Sequence, residues 1–113
     1  MPTDELSDVM VEILLTLSRA PQHGYAIKLD IEERAGDGYV IGSGSLYQAL
    51  HRLERRGLIA VDDTAPPPDD ARRGKVYRVE PAGREALDAE LTRIRRVLQF
   101  AEHADSGGAR GRS

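Results

Sequence analysis

The chain has no cysteine, no tryptophan and a single phenylalanine, Phe100, in 113 residues. Without cysteine there are no disulfides and no thiolate metal sites, and nothing in the composition suggests an oxidising compartment. No apolar run approaches the ~20 residues that span a bilayer. The amino terminus MPTDELSD is acidic where a secretory signal would be basic. A cytoplasmic protein without membrane contact is expected. The spacings of common chemistry are missing too. His23, His51 and His103 stand far apart, with no HExxH or paired-carboxylate pattern, and the glycines lack the context of a phosphate or dinucleotide loop. No metal, nucleotide or other cofactor is expected. No cluster of acid, base and nucleophile points to an enzyme.

What is present fits one small domain. A chain of this length with 40% hydrophobic residues buries roughly two-thirds of its unfolded surface around one core. Net charge is −3, which taken whole argues against a nucleic-acid partner. The charge is unevenly placed, however. Residues 1–37 hold three Lys or Arg against eight Asp or Glu, so the remaining 76 residues sum to +2. The basic concentration comprises Arg52, Arg55, Arg56, Arg72, Arg73, Lys75 and Arg78, and a local patch, more than the total, fixes where phosphate can dock.

The most informative stretch is GSGSLYQALHRLERRG, residues 42–57. Its glycines and serines allow a turn and a hydroxyl cap, so a helix should begin here. Leu46, Leu50 and Leu53 recur at i, i+4, i+7 on one face, while Gly44, Gln48, His51, Arg52 and Arg55 project from the other. Arg56 and Gly57 suit the carbonyl end. The exposed face carries amide, imidazole, hydroxyl and guanidinium groups with no acid on its central line. Such groups hydrogen-bond base edges and phosphates. A recognition helix is one reading; an amphipathic helix with a solvated polar face is the other.

The surroundings favour the first. Leu6, Val9, Met10, Ile13, Leu14 and Leu17 predict a first helix over about residues 4–18, with Asp4, Glu5 and Asp8 as a solvated start. A second is expected over about residues 22–34, with Ala26, Ile27, Leu29 and Ile31 as core contacts and Gly36, Asp37 and Gly38 ending it. Tyr39, Val40 and Ile41 predict a short edge strand. Strands are expected at 58–64 and 75–79. Between them TAPPPDDARRG, with three consecutive prolines, must protrude as a wing. Pro81 opens a last helix to about residue 103, in which Leu87, Leu91, Ile94, Leu98 and Ala101 step 4, 3, 4, 3 like a coiled-coil seam. A spare seam on so small a domain points to the same helix of a second copy. The alternative is that this helix folds back on its own domain. From Asp105 onward DSGGARGRS has no periodicity and predicts a disordered tail. The expected fold class is mainly α with a small β-hairpin: a winged helix-turn-helix over residues 1–80, a dimerisation helix over 81–104 and a tail over 105–113.

Three segments in order, LLTLSRAPQHGYAI, GSLYQALHRLERRGLI and RRGKVYRVEPAGREAL, resemble the PadR-type (phenolic acid decarboxylase regulator) winged-helix transcriptional regulators. The resemblance implies a homodimeric, usually repressive, DNA-binding protein whose wing lies beside its recognition helix. It places the HGY run at His23, Gly24 and Tyr25, and the recognition segment at Ser43, Ser45, Leu46, Tyr47, Leu50, Arg52 and Leu53. The basic run of the wing falls at Arg72, Arg73 and Lys75, followed by Tyr77. The short last helix is similar to that of the smaller PadR subgroup, which lacks a long additional carboxy-terminal domain. Some members of that subgroup hold planar drugs between aromatic residues at the dimer centre, whereas this chain has no Trp and one Phe.

The expected DNA-binding residues are thus His23, Tyr25, Ser43, Gly44, Ser45, Tyr47, Gln48, His51, Arg52, Arg72, Arg73 and Lys75. Gly42, Ser43 and Gly44 suit a close approach of phosphate to helix N–H groups, and Arg52 is the strongest phosphate candidate. Ser45 with Gln48 also matches a capping box, which would hold Gln48 at its own helix end, so capping and base contact both stand. Tyr47 lies between the two faces, with a ring to pack and a hydroxyl to reach phosphate. Tyr25 either faces the DNA backbone or packs. Arg55 and Arg56, at the far end of the helix, are equally suited to pairing with acids. At the wing tip Asp69 and Asp70 would be repelled by phosphate, which leaves Arg72 and Arg73 to the DNA backbone or minor groove. The expected dimer interface is Met10, Leu14, Leu87, Leu91, Ile94, Leu98 and Ala101. A dimer cleft near Met10, Leu14, Leu91, Leu98 and Phe100 would accept a small apolar effector, yet the same residues would make a dry dimer interface, which is the favoured reading. The expected function is a DNA-binding transcriptional regulator, a repressor. As a homodimer it would bind a pseudopalindromic operator in double-stranded DNA, with half-sites roughly 34 Å apart. The alternative is a winged-helix module that contacts another protein.

Overall fold

The computed structural model describes residues 6–64 and 74–112, with side chains through residue 104. The elements are α1 (Asp8–Arg19), β1 (Gln22–His23), α2 (Gly24–Ala35), α3 (Ser43–Arg55), β2 (Ile59–Val61), β3 (Val76–Val79) and α4 (Pro81–Arg112). Helix α1 starts where Ser7 caps it, the hydroxyl accepting the Met10 N–H at 3.3 Å. Of the three acids expected at its start, only Asp8 lies within the described residues, in the first turn. Met10, Ile13, Leu14 and Leu17 form its buried stripe. Helix α2 adds Ile27 and Ile31, four residues apart. Leu29, expected in the core, is exposed, because two residues on from Ile27 is the far side of a helix. Helix α3 contributes Leu46, Ala49, Leu50 and Leu53, and Ile41, Leu58, Ile59, Tyr77 and Leu87 complete the core.

The sheet has the order β1-β3-β2, antiparallel throughout. Ile59 lies opposite Val79, Ala60 opposite Arg78 and Val61 opposite Tyr77, which is the stem of the expected hairpin. Its loop, residues 65–73, lies outside the described residues, and with it Asp69, Asp70, Arg72 and Arg73. The third strand is not the one expected. Tyr39, Val40 and Ile41 form no strand; Gly36, Asp37 and Gly38, with φ of 69°, 55° and 72°, curl the chain back after α2. Ile41 then turns inward while its N–H donates to the Glu32 carboxylate at 3.0 Å, which leaves no free edge to pair. Gln22 and His23 pair with Tyr77 and Val76 instead. Two residues are too few to show alternation.

Helix α4 is fastened to the sheet at its start. The Glu80 N–H donates to the Leu58 carbonyl at 2.9 Å, and a Cβ on Gly83 would stand 2.1 Å from that same oxygen. Leu87 is buried, with Ala86 and Leu91 half-buried beside it. The first turns of α4 thus do fold back on the domain, against α1. Beyond them the helix continues to Arg112, through the stretch expected to be a disordered tail. No proline follows Pro81, and lengthening a nucleated helix gains a hydrogen bond per residue without a second nucleation cost.

Candidate nucleic-acid interface

Helix α3 begins at Gly42, which occupies the cap position without any side-chain cap bond, and its first turn holds no acid. Because the cap is Gly42, Ser45 is the third helical residue and the Ser45–Gln48 capping box does not form. The register is one turn too early for it. Gln48 is exposed and, among the described residues, makes no side-chain hydrogen bond. Ser43, Gly44, Ser45, Tyr47, His51, Arg52 and Arg55 are exposed with it. With Leu46, Leu50 and Leu53 turned inward, the outward line of the helix runs Gly44, Gln48, His51, Arg55. Tyr47 flanks that line on one side, and Ser45 and Arg52 on the other.

Each flank rests on a different neighbour. Tyr47 lies over the start of α2: a Cβ on Gly24 would stand 2.9 Å from its hydroxyl oxygen and 3.1 Å from a ring carbon. Gly24 is therefore where α2 admits the Tyr47 ring of α3. Tyr77 of β3 is close by. Burial, with the Glu54 carboxylate and Tyr47 nearby, pushes its phenol above the ordinary value of 10.0. Ser45, Gln48 and Arg52 instead line a hollow of about 160 Å³ with Ser7, Val9 and Met10 from the start of α1.

The charges sort themselves by position. In α1 and α2 the cations are tied to acids: Arg19 to Asp30, Lys28 to Glu32, and Arg34 to both Asp30 and Glu12, all at 2.7–2.8 Å. The Thr16 hydroxyl also donates to Asp30 at 2.6 Å and, despite the cost of burial, this bond and the two arginines hold that carboxyl below its ordinary 3.8. Lys28 and the Ile41 N–H do the same for Glu32, below 4.5. In the sheet Arg78 is held by Glu80 and the Val61 carbonyl at 3.0 Å. Arg52 and Arg55 on α3 and Lys75 at the foot of the wing are exposed and have no acid partner among the described residues. Arg95 and Arg96 of α4 share that condition.

Other expected residues are placed differently. Tyr25, in the first turn of α2, is exposed, but His23 is half-buried and its Nε2 is enclosed without a hydrogen-bond partner. That edge of the imidazole is closed to an external phosphate. Met10, Leu14 and Leu87, expected at a dimer interface, lie buried in the chain's own core. They are unavailable to a second copy. Leu91 is half-buried, while Ile94, Leu98 and Ala101 are exposed. Within one copy the residues expected at the effector cleft do not line the main groove between the helices. A groove of about 370 Å³ runs between α1, α2 and α4, lined by Leu6, Val9, Val11, Ile31, Tyr39 and Ile94 with Glu12, Glu90 and Arg93, not by Met10, Leu14, Leu98 or Phe100. Sequence reasoning missed the Gly24–Tyr47 contact and the Glu32 bracket on the turn. Both join residues distant in the chain, and no local pattern marks them.

Comparison with known proteins accords with this architecture. Residues 13–89 match the model of the transcriptional regulator PadR-like family. The chain belongs to that family. This PadR-like chain is 39% identical over 77 residues to the transcriptional regulator Rv3488 of Mycobacterium tuberculosis, a match covering 68% of this chain and 65% of that protein. It is 36% identical over 91 residues to an uncharacterized 37.1 kDa protein in transposon TN4556 of Streptomyces fradiae, covering 80% of this chain. It thus spans 65% of the first relative's length and 24% of the second's. Among solved structures it is similar to a transcriptional regulator from Clostridium thermocellum (TM-score 0.70, 25% identity, 84% of this chain and 87% of that one). It also shares its fold with Bacillus subtilis PadR in complex with operator DNA (TM-score 0.61, 22% identity, 75% of this chain and 47% of that one).

Proposed function

We infer that this PadR-like regulator binds double-stranded DNA through α3 and the wing, as a homodimer on a pseudopalindromic operator, and acts as a repressor. The observation that carries the reading is the division of cations. Those of α1 and α2 are occupied by acids, whereas Arg52, Arg55 and Lys75, around the recognition helix and the foot of the wing, have none. Unpaired guanidinium and ammonium groups beside an acid-free helix start suit phosphate. That a PadR of the same fold has been solved in complex with operator DNA supports DNA as the partner. The low total charge, which favoured a protein-contact module, arises in residues 1–37, where eight acids stand against three cations, outside α3 and the hairpin. Dimerisation is supported by the exposed Val97, Leu98 and Phe100 on α4. The groove beside Ile94 offers an apolar effector its place.

Electrophoretic shift across a salt series tests this. Arg52→Ala and Lys75→Ala should each weaken binding to specific and scrambled duplexes alike, and reduce the slope of log affinity against log salt by about one. Unchanged slopes in both would remove this surface from the interface.

A further inference from the structure

Glycine in this fold is usually explained from within. Gly36, Gly38, Gly57 and Gly74 adopt positive φ, and the space beside Gly24 and Gly83 is filled by Tyr47 and by the Leu58 carbonyl. Gly44 is different. It lies inside α3, its φ is not positive, and a Cβ there would meet nothing within 4 Å. Glycine is among the poorest helix formers, so this position weakens the helix without relieving any crowding in the domain. The missing side chain makes room only for something outside. Three further observations say what that is. Gly44 stands on the outward line of α3 with Gln48 four residues further along. Gln48 is released from its own helix end because the cap is Gly42. No acid occupies the first turn, and the exposed cations Arg52 and Arg55 follow.

We propose that Gly44 is the seat of the duplex on the recognition helix, where a sugar–phosphate strand meets bare helix backbone, so that the Gln48 amide is lowered onto the edge of an adenine. The inference rests on the DNA-binding reading and deepens it. Gln48 lies about 6 Å further along the helix axis, one turn on, and a glutamine amide pairs bidentately with N6 and N7 of adenine in the major groove. Each half-site therefore carries an adenine·thymine pair under Gln48. Arg52, on the flank beside α1, holds phosphate and reads no base.

The test combines melting with selection from a pool of random-sequence duplexes, using the full chain, Gly44→Ala and Gln48→Ala. Wild type should select a two-fold motif with one adenine·thymine pair retained in each half. Gln48→Ala should keep the salt slope and lose that preference. Gly44→Ala should melt at the same temperature or a few degrees higher, yet bind the selected duplex about tenfold more weakly. A glycine kept for folding would shift both quantities in the same sense. If wild type selects a motif and Gly44→Ala binds it equally well, or melts lower, this inference fails while DNA binding stands. A Gln48→Ala protein that selects the unchanged motif also sinks it. If wild type selects nothing, the DNA-binding reading falls with it.

Discussion

Asp30 gathers Thr16, Arg19 and Arg34 onto one carboxylate, and so ties α1 to α2 across the acidic end of the molecule. Its lowered pKa, with that of Glu32, predicts how acid unfolds the protein. On acidification the unfolded chain takes up protons first, at the ordinary values of 3.8 and 4.5. The stability these groups contribute is full above those values and is lost as pH falls through the lower folded ones. Asp30→Asn should cost about 1–3 kcal/mol at neutral pH and flatten the acid limb of urea midpoints followed from pH 7 downward. A variant whose midpoint falls as steeply as wild type would locate the acid loss elsewhere. The exposure of Gln48, His51 and Arg52 was legible in the sequence, because helical spacing alone sorts inside from outside. Whether Gln48 was free was not legible, since that depends on which of several glycines and serines caps the helix, a difference of one turn.

Gly83 tests how the elements join. Alanine is normally the better helix former by about 1 kcal/mol, but here its Cβ would be driven into the Leu58 carbonyl and Val79. Gly83→Ala should therefore destabilise the protein by about 1–3 kcal/mol, seen as a lower urea midpoint. A rise would mean that α4 is not seated on β2 and β3 as described. The four helices were legible because their apolar residues repeat over many turns. The hairpin was legible from two β-prone runs around a proline loop. The third strand was not. Tyr39, Val40 and Ile41 have strong strand propensity, but the Glu32 carboxylate takes the Ile41 amide, whereas Gln22 and His23 pair only because β3 is brought beside them. Pairing of so short a segment is decided by its partner.

For the molecule as a whole, the second half of α4 is the part left without cover. Val97 and Leu98 are 55% exposed and Phe100 is 73% exposed, which is costly in water unless a second copy covers them. Replacing Val97 and Leu98 together by Asp should convert the proposed dimer to a monomer in sedimentation velocity, with the helical circular dichroism of the winged domain retained. A double variant that sediments as wild type does would move the interface off this helix. That the apolar spacing of α4 runs past what one domain covers was legible in the sequence, but where the exposed part begins was not, since Leu87 belongs to the domain core and the spacing continues unbroken across the change. The pairing of Gln22 and His23 with Tyr77 and Val76 reaches further than its length suggests. It zips the entry to α2 onto the strand that bears the hairpin, so the distance from α3 to the hairpin is gauged by backbone and not by a slack tether. On the proposed DNA-binding reading, a duplex gripped by both would have to match that fixed span, and one whose groove is too wide or too narrow would be refused on shape before any base is read.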